Sequence, residues 1–341
     1  MTVLLCSIFV IPVQALEMEV PTVPESASRF MPSKPSNLGE GILELFRDAM
    51  LYLSPSLKES SAVAMGILAA VLTVSLIQTI PGSSQRSVNL AGTLVISLLL
   101  LGSMNSFIHM AEDSVTEISE YGKLLLPVMA AATAAQGGVN ASSALYTGTV
   151  VFDSVLSSII TKMLCPMIYL FLALAAAKSA VGEDMLKKLA DQMKSLMTWL
   201  LKTILYVYTG YITITGVISG TTDAAALKAA KLTISGAVPV VGGILSDASE
   251  AVLVSAATVK NAAGLYGMFA ILAIWIGPFL RTGIHYLILK TTGAVCSIFG
   301  SKEMTALIDD FSAAMGFLLA MTGTVCLMML ISLVCFMKGV V

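Results

Sequence analysis

Long runs of apolar residues, separated by short polar segments, make up most of this chain. Residues 61–80 form a run of twenty residues without a charged side chain, and residues 88–108 form a second run after a short turn. A helix rises about 1.5 Å per residue, so each run is long enough to cross the roughly 30 Å of hydrocarbon in a bilayer. Further candidate spans follow at 163–177, 203–219, 262–280, 284–299 and 316–336, of which 284–299 either crosses the membrane or lies in its interface. The pattern predicts an all-α polytopic membrane protein with six or seven transmembrane helices.

Two of the apolar stretches are interrupted by helix-breaking residues. Each interruption has the order proline, glycine pair, then serine and other small residues. Backbone that leaves a helix at membrane depth must be satisfied by protein or by water, so two interrupted or re-entrant elements are expected. Transporters built from repeats show paired breaks of this sort. The candidate positions for helix breaks or close packing are Pro127, Gly137, Gly138, Pro239, Gly242 and Gly243.

The amino-terminal part of the chain differs from the rest. Residues 1–15 contain an apolar segment that is too short to span a bilayer and predict a signal peptide, with an uncleaved anchor as the alternative. Residues 16–60 begin as a polar, proline-rich segment and continue from Glu40 as one short amphipathic helix, and the whole segment is expected to be extracytoplasmic. That helix either docks a partner or lies on the membrane surface. Residues 61–341 form the multi-span domain.

Composition supports a membrane protein and excludes other classes. Of the 341 residues, 57% are hydrophobic and 12% are charged, whereas a soluble globular protein carries about 25% charged residues. The net charge of −2 provides no basic surface for nucleic acid. A soluble enzyme is equally unexpected, and the bilayer is the expected environment.

The distribution of cations orients the predicted helices. Residues 181–202 form an amphipathic segment, and together with Lys178 they contain the densest group of lysines in the chain. Loops retained in the cytoplasm are enriched in cations, so this segment is expected to be cytoplasmic, either as an interfacial helix or as a docking surface. The predicted topology has the amino terminus outside, and Lys338 marks a cytoplasmic carboxyl end.

Three acidic residues are candidates for membrane-embedded charges. A carboxylate such as Asp153 at mid-membrane costs about 2.5 to 3.5 kcal/mol, so this residue either binds an ion, relays protons, or has a structural or interfacial role. Asp247 and Glu250 are three residues apart and share one helix face. They either coordinate a cation or cap the following helix at a solvated surface.

The residues that enzymes use are not arranged for catalysis in this sequence. The five cysteines lie in apolar stretches without metal-ligand spacing, and the two histidines are far apart. A paired nucleophile and base, a phosphate-binding glycine loop and a metal cluster are all missing from the pattern. We therefore expect no enzymatic activity, no cofactor and no metal.

One stretch carries a family resemblance. The chain reads ISGAVPVVGGILSDASE over residues 234–250 and VKNA over residues 259–262. These motifs, and the order of signal peptide, polar segment and multi-span body, resemble the stage III sporulation protein AE family. The resemblance implies a bacterial cell-membrane protein located in the mother-cell membrane around the forespore. It also implies partnership with other membrane proteins of the stage III A operon and, indirectly, with stage II sporulation protein Q. The family has no established catalytic residues.

Two hypotheses of function follow. The first is a membrane subunit of the transenvelope channel or secretion-like complex that links mother cell and forespore during endospore formation. The second is a stand-alone secondary transporter or permease, which the paired breaks suggest. The polar segment at 16–60 favours the first, because a lone carrier has no evident use for it.

Overall fold

The computed structural model describes residues 20–33, 38–81, 84–237 and 242–338, with side chains described outside 215–256. These residues form helices and turns, and the described ranges contain no strand. A π-helical turn at Ile160–Leu164 joins the fifth and sixth helices. The α-helices are α1 (Glu25–Ser28), α2 (Leu38–Leu51), α3 (Ser54–Gln78), α4 (Gln85–Ala135), α5 (Val139–Ile159), α6 (Cys165–Val181), α7 (Asp184–Ala237), α8 (Gly242–Phe299) and α9 (Lys302–Lys338).

The all-α polytopic prediction is confirmed, but the count of six or seven spans is not. Among the described residues, five helical segments are long and apolar enough to cross a membrane. They are Ser54–Gln78, Gln85–Ala135, Val139–Val181, Ala257–Phe299 and Lys302–Lys338.

Two of the predicted spans share one helix, and another, 203–219, lies in α7, which is not among the five. Helix α4 has 51 residues, which corresponds to a length of about 77 Å, more than twice the hydrocarbon thickness. It includes both the 88–108 run and the acidic segment that follows. Helix α8 likewise includes both 262–280 and 284–299, because Arg281, Thr282 and Gly283 do not break it.

Glycines with positive φ end two of the long helices. Gly137 has φ +92° immediately after the end of α4, and Gly182 has φ +75° at the end of α6. This left-handed conformation is readily available only to glycine, and it lets the chain reverse direction within a few residues. Helices α5 and α7 begin directly after these turns.

Helix α9 lies at the centre of the bundle. It contacts α4, α5, α6, α7 and α8, and its buried residues extend from Met304 to Phe336. Close approach of α4 to α9 occurs where Gly92 faces Met304 and Gly122 faces Met329. Glycines at these positions leave space for the methionine side chains of the central helix.

The two ends of α9 lie at opposite ends of the bundle. Asp310, near its start, contacts Lys178, whereas Met337, near its end, packs beside Gly264 and Met129. Because α9 crosses the bundle once, Lys338 lies on the side opposite to Lys178. The predicted cytoplasmic placement of both lysines stays a prediction, and an α9 that crosses the membrane would meet it for only one of them.

The amino-terminal polar segment folds against the bundle. Helices α1 and α2 pack on α8, with Phe30, Leu45 and Ala49 buried in the contact. The observed α2 coincides with the amphipathic helix expected from Glu40 onward. Residues 54–60, which were assigned to the polar segment, already belong to α3, because Pro55 is favourable in the first turn of a helix.

We predict that Gly148→Val destabilises the bundle, whereas Gly102→Val does not. A Cβ at Gly148 would lie 2.6 Å from Cζ of Tyr211, which belongs to α7. The same atom at Gly102 has no neighbour within 4 Å. The free energy of unfolding should fall by about 1–3 kcal/mol for the first variant only. Thermal unfolding of the purified variants in detergent measures this difference, and equal melting temperatures would contradict the α5–α7 contact.

Candidate functional site

Asp153, one of the predicted membrane-embedded charges, lies inside the bundle. It is on α5 and 2% exposed, and the hydroxyl of Ser119 on α4 donates to its Oδ1 atom at 3.0 Å. Lys123, one turn beyond Ser119, contributes an attractive electrostatic interaction. A buried carboxylate requires such partners, because water is not available to solvate it.

A chain of hydroxyl groups lies one helical turn from Asp153 and joins α5 to α7 and α9. Thr149, one turn before Asp153, donates to Oγ of Ser332 at 3.1 Å. The hydroxyl of Tyr208 contacts the Ser332 hydroxyl and donates to the carbonyl of Met328 at 3.1 Å. Together with the contact between Ser119 and Asp153, these hydrogen bonds connect α4, α5, α7 and α9 in the interior. Sequence reasoning identified Asp153 but none of its partners.

A second group of buried charges joins α6, α7 and α9. Asp310 is 3% exposed, and its two carboxylate oxygens accept from Nζ of Lys178 at 2.5 Å and from Nζ of Lys194 at 2.7 Å. The ammonium of Lys194 also lies 5.2 Å from the centre of the Phe171 ring. The cluster carries two positive charges and one negative charge. It was missed because both lysines were interpreted as part of a solvated cytoplasmic group.

The neighbouring acidic residue is arranged differently. Asp309 pairs with Lys290 of α8 at 3.0 Å, and both side chains are 50% exposed. Of these two consecutive carboxylates, Asp310 therefore belongs to an interior cluster and Asp309 to a surface pair. The difference follows from the helix rotation of about 100° between adjacent residues.

A cleft of about 770 Å³ lies between the amino-terminal segment and helices α4 and α8. Its charged lining includes Arg29, Asp113 and Arg281, and the hydroxyl of Ser26 in its wall donates to Glu117 at 2.8 Å. The lining also contains Ser114, whose buried hydroxyl has no hydrogen-bond partner among the described residues. The cleft thus combines both signs of charge with a buried polar group.

Aromatic side chains complete one wall of this cleft. Phe30 and Tyr52 pack edge to face with ring centres 5.7 Å apart. The guanidinium of Arg29 lies 5.6 Å from the centre of the Tyr52 ring. At the opposite wall, Arg281 and Glu59 approach within 3.6 Å. Aromatic and arginine side chains of this kind are enriched where proteins bind other polypeptides.

The first group of predicted break residues lies near one end of the bundle. Pro127 lies inside α4 and does not end it. Gly137 and Gly138 form the turn between α4 and α5, and Gly138 precedes the first residue of α5. The structure therefore places a turn at the glycine pair and a continuous helix at the proline.

The second predicted group is only partly described. Pro239 lies outside the described residues, while Gly242 is the first residue of α8 and Gly243 follows it. Asp247 and Glu250 belong to the helical backbone of α8, but their side chains lie outside the described residues. Within the described ranges, no group of three or more potential metal ligands is brought together.

Comparison with known proteins identifies one family. The family model for stage III sporulation protein AE matches residues 34–339. Stage III sporulation protein AE of Bacillus subtilis (strain 168) is 24% identical over 264 residues, a region that covers 76% of this chain and 66% of that relative. The chain therefore spans slightly less than two thirds of the length of this curated relative. No solved structure matches the chain.

We predict that Asp153→Asn preserves stability and that Asp153→Leu does not. Asparagine retains an oxygen that accepts from Ser119, whereas leucine leaves this buried hydroxyl unpaired at a cost of about 1–3 kcal/mol. Thermal unfolding in detergent compares the two variants. An asparagine variant as unstable as the leucine variant would show that the charge itself is required for folding.

We predict a large difference between neutralising the two consecutive aspartates. Asp310→Asn leaves two ammonium groups in a largely buried site without their carboxylate, and should destabilise the protein by about 3 kcal/mol. Asp309→Asn removes an exposed pair and should cost less than about 1 kcal/mol. Denaturation of the two purified variants under identical conditions tests the comparison, and similar losses would contradict the structural role of Asp310.

Proposed function

This chain belongs to the stage III sporulation protein AE family, and from that membership we propose that it is a multi-pass membrane subunit of the channel or secretion-like complex that links mother cell and forespore. The family establishes it as a sporulation protein, and its helices are long and apolar enough for a membrane. Its place in the mother-cell membrane is part of the proposal. The proposed partners are other membrane proteins of the stage III A operon and, through them, stage II sporulation protein Q.

The observation that carries the proposal is the outer face of α2. Leu45 and Ala49 of this helix are buried against the bundle, whereas Leu43, Phe46 and Met50 are 71%, 39% and 60% exposed. The exposed three are spaced three and four residues apart, so they form one apolar face. This face lies outside the five candidate spans. An apolar helix face that is neither in the core nor in a membrane span suits either another protein or the membrane surface, and we propose the first.

The cleft beside α2 extends this surface. Tyr52 lines the cleft and is also 54% exposed, so it connects the apolar face to the charged lining around Arg29. A partner that covers α2 would therefore also reach the cleft. Apolar anchors surrounded by charged groups are typical of the contacts between subunits of an assembly.

A stand-alone secondary transporter is the alternative. Asp153 is the observation that favours it, because acidic residues inside membrane bundles commonly bind ions or carry protons. The subunit hypothesis explains more of the molecule, since it accounts for the folded amino-terminal segment as well. Asp153 has a structural explanation through Ser119 and the neighbouring hydroxyl groups.

Purification under mild detergent separates these hypotheses. We expect the chain to be recovered together with other sporulation membrane proteins. Recovery as an isolated species that moves a solute into liposomes would overturn the proposal and establish the transporter.

We predict that Leu43→Asp combined with Met50→Asp reduces recovery of the co-purified proteins about tenfold, which corresponds to about 1.4 kcal/mol of binding free energy. Both residues are exposed, so the melting temperature and the membrane insertion of the isolated chain should not change. The matched control is Asp48→Asn, a half-exposed position two residues from both Phe46 and Met50 and therefore on a different side of the same helix. Unchanged recovery with the double variant would exclude α2 as the docking surface.

A further inference from the structure

The cleft between the amino-terminal segment and helices α4 and α8 has an exposed rim and a buried floor. Tyr52 is 54% exposed and Asp113 is also exposed, whereas Ala49 and Ser114 are each 2% exposed. Its volume of about 770 Å³ lies in the range of cavities that hold a ligand. The cleft is therefore large enough to admit part of another molecule.

Three apolar runs of the sequence have one end beside this cleft. Glu59 comes shortly before the first run, Asp113 shortly after the second and Arg281 directly after the third, and all three residues line the cleft. The runs are 61–80, 88–108 and 262–280. Charged side chains at this level favour contact with water over hydrocarbon, so a polar ligand can reach the cleft from water.

The basic residues of the cleft already have partners within the chain. The guanidinium of Arg281 lies 3.6 Å from the carboxylate of Glu59. The guanidinium of Arg29 packs over the rings of the aromatic wall, and His109 lies 3.4 Å from Glu112. Little of the positive charge in the lining is therefore left for an anionic ligand.

Hydrogen-bond acceptors, in contrast, are left over. Asp113 forms no ion pair with another described side chain. Glu117, one turn farther along α4, accepts from Ser26 with one of its two carboxylate oxygens. The hydroxyl of Ser114 is buried without a partner among the described residues, and a hydroxyl accepts as well as donates. One wall of the cleft thus has a surplus of acceptors.

Helix α8 adds a backbone acceptor on another wall. Pro278 lies inside this helix and has no N–H, so the carbonyl of Ile274 lacks the donor four residues later that an α-helix normally supplies. Both residues line the cleft. The lining therefore contains acceptors on two helices, and one of them is a buried side chain.

From this surplus of acceptors we propose that the cleft binds a lysine or arginine side chain of a partner polypeptide. An ammonium or guanidinium group carries only donors, which suit the carboxylates of Asp113 and Glu117 and the hydroxyl of Ser114. The buried hydroxyl distinguishes this site from an ordinary acidic surface, because a desolvated polar group without a partner is costly until a ligand pairs with it.

The inference rests on the proposed subunit function, which supplies the partner. Tyr52 belongs to the rim and lies at the end of α2, so a chain that covers the apolar face of α2 also reaches the cleft. The apolar face would then contribute binding area, and the basic side chain would fix the position of the partner.

Site-specific cross-linking tests the proposal in the complete chain. The photoreactive residue is introduced by Ser106→p-benzoylphenylalanine, at an exposed position in the cleft lining, and sporulating cells are irradiated. We expect an adduct with a polypeptide segment that contains a lysine or arginine close to the cross-linked residue. A segment without a basic residue, an adduct with lipid, or no adduct would overturn the proposal.

Charge reversal at the rim provides a matched comparison. Asp113→Lys should reduce the yield of the adduct at least about tenfold, because a like charge then meets the basic side chain. The control Glu120→Lys makes the same change at an exposed residue of α4 that lies two turns farther along and outside the cleft lining. Replacing the basic residue of the partner with glutamate should restore the yield in the Asp113→Lys variant. Equal yields in the two lysine variants would overturn the proposal.

Ser114→Ala separates a ligand contact from a structural one. In the isolated chain this change removes a buried hydroxyl that has no partner, so the melting temperature should stay the same or rise. The yield of the adduct should nevertheless fall about threefold or more, because the bound cation loses a hydrogen bond. A lower melting temperature with an unchanged yield would show that the hydroxyl serves the fold and would overturn the proposal.

Purification from the same cells separates this proposal from the proposed function. If partner proteins are recovered but the adduct does not depend on Asp113, the cleft proposal is wrong and the subunit role stands. If the chain is recovered alone, the subunit role fails, and with it the premise that a partner reaches the cleft.

Discussion

The carboxylate of Asp310 connects three helices whose sequences are far apart. It accepts hydrogen bonds from Lys178 on α6 and Lys194 on α7 while lying near the start of the central α9. A buried carboxylate with two ammonium partners has a strong preference for one geometry, because removing the carboxylate leaves two ammonium groups without their counter-charge. This contact therefore helps to fix how α6 and α7 pack against α9.

Several other buried polar groups of the interior also find partners within the protein. Asp153 is satisfied by Ser119, and the hydroxyls of Thr149, Tyr208 and Ser332 are joined in a chain at the same level. These contacts join helices that apolar packing alone would leave free to rotate or slide. A few polar groups therefore fix the axial positions of the long apolar helices relative to one another, while packing around α9 supplies most of the contact between the helices.

The outer surface divides into regions with different chemistry. Exposed leucines on α3 and α4 suit lipid, whereas the apolar face of α2 lies beyond the candidate spans. The proposed subunit function accounts for the apolar face of α2, which the candidate spans do not include.

The sequence by itself determined the membrane environment, the helical class and the family, because these depend on composition, on the length of apolar runs and on short local motifs. It also predicted that Asp153 would require partners, since burial cost is a property of a single residue. The tertiary structure alone decided that 262–280 and 284–299 share one helix and that Lys178 and Lys194 pair with an aspartate more than 100 residues away. Such pairings depend on which helix faces meet in space, and local sequence patterns carry no information about contacts across that separation.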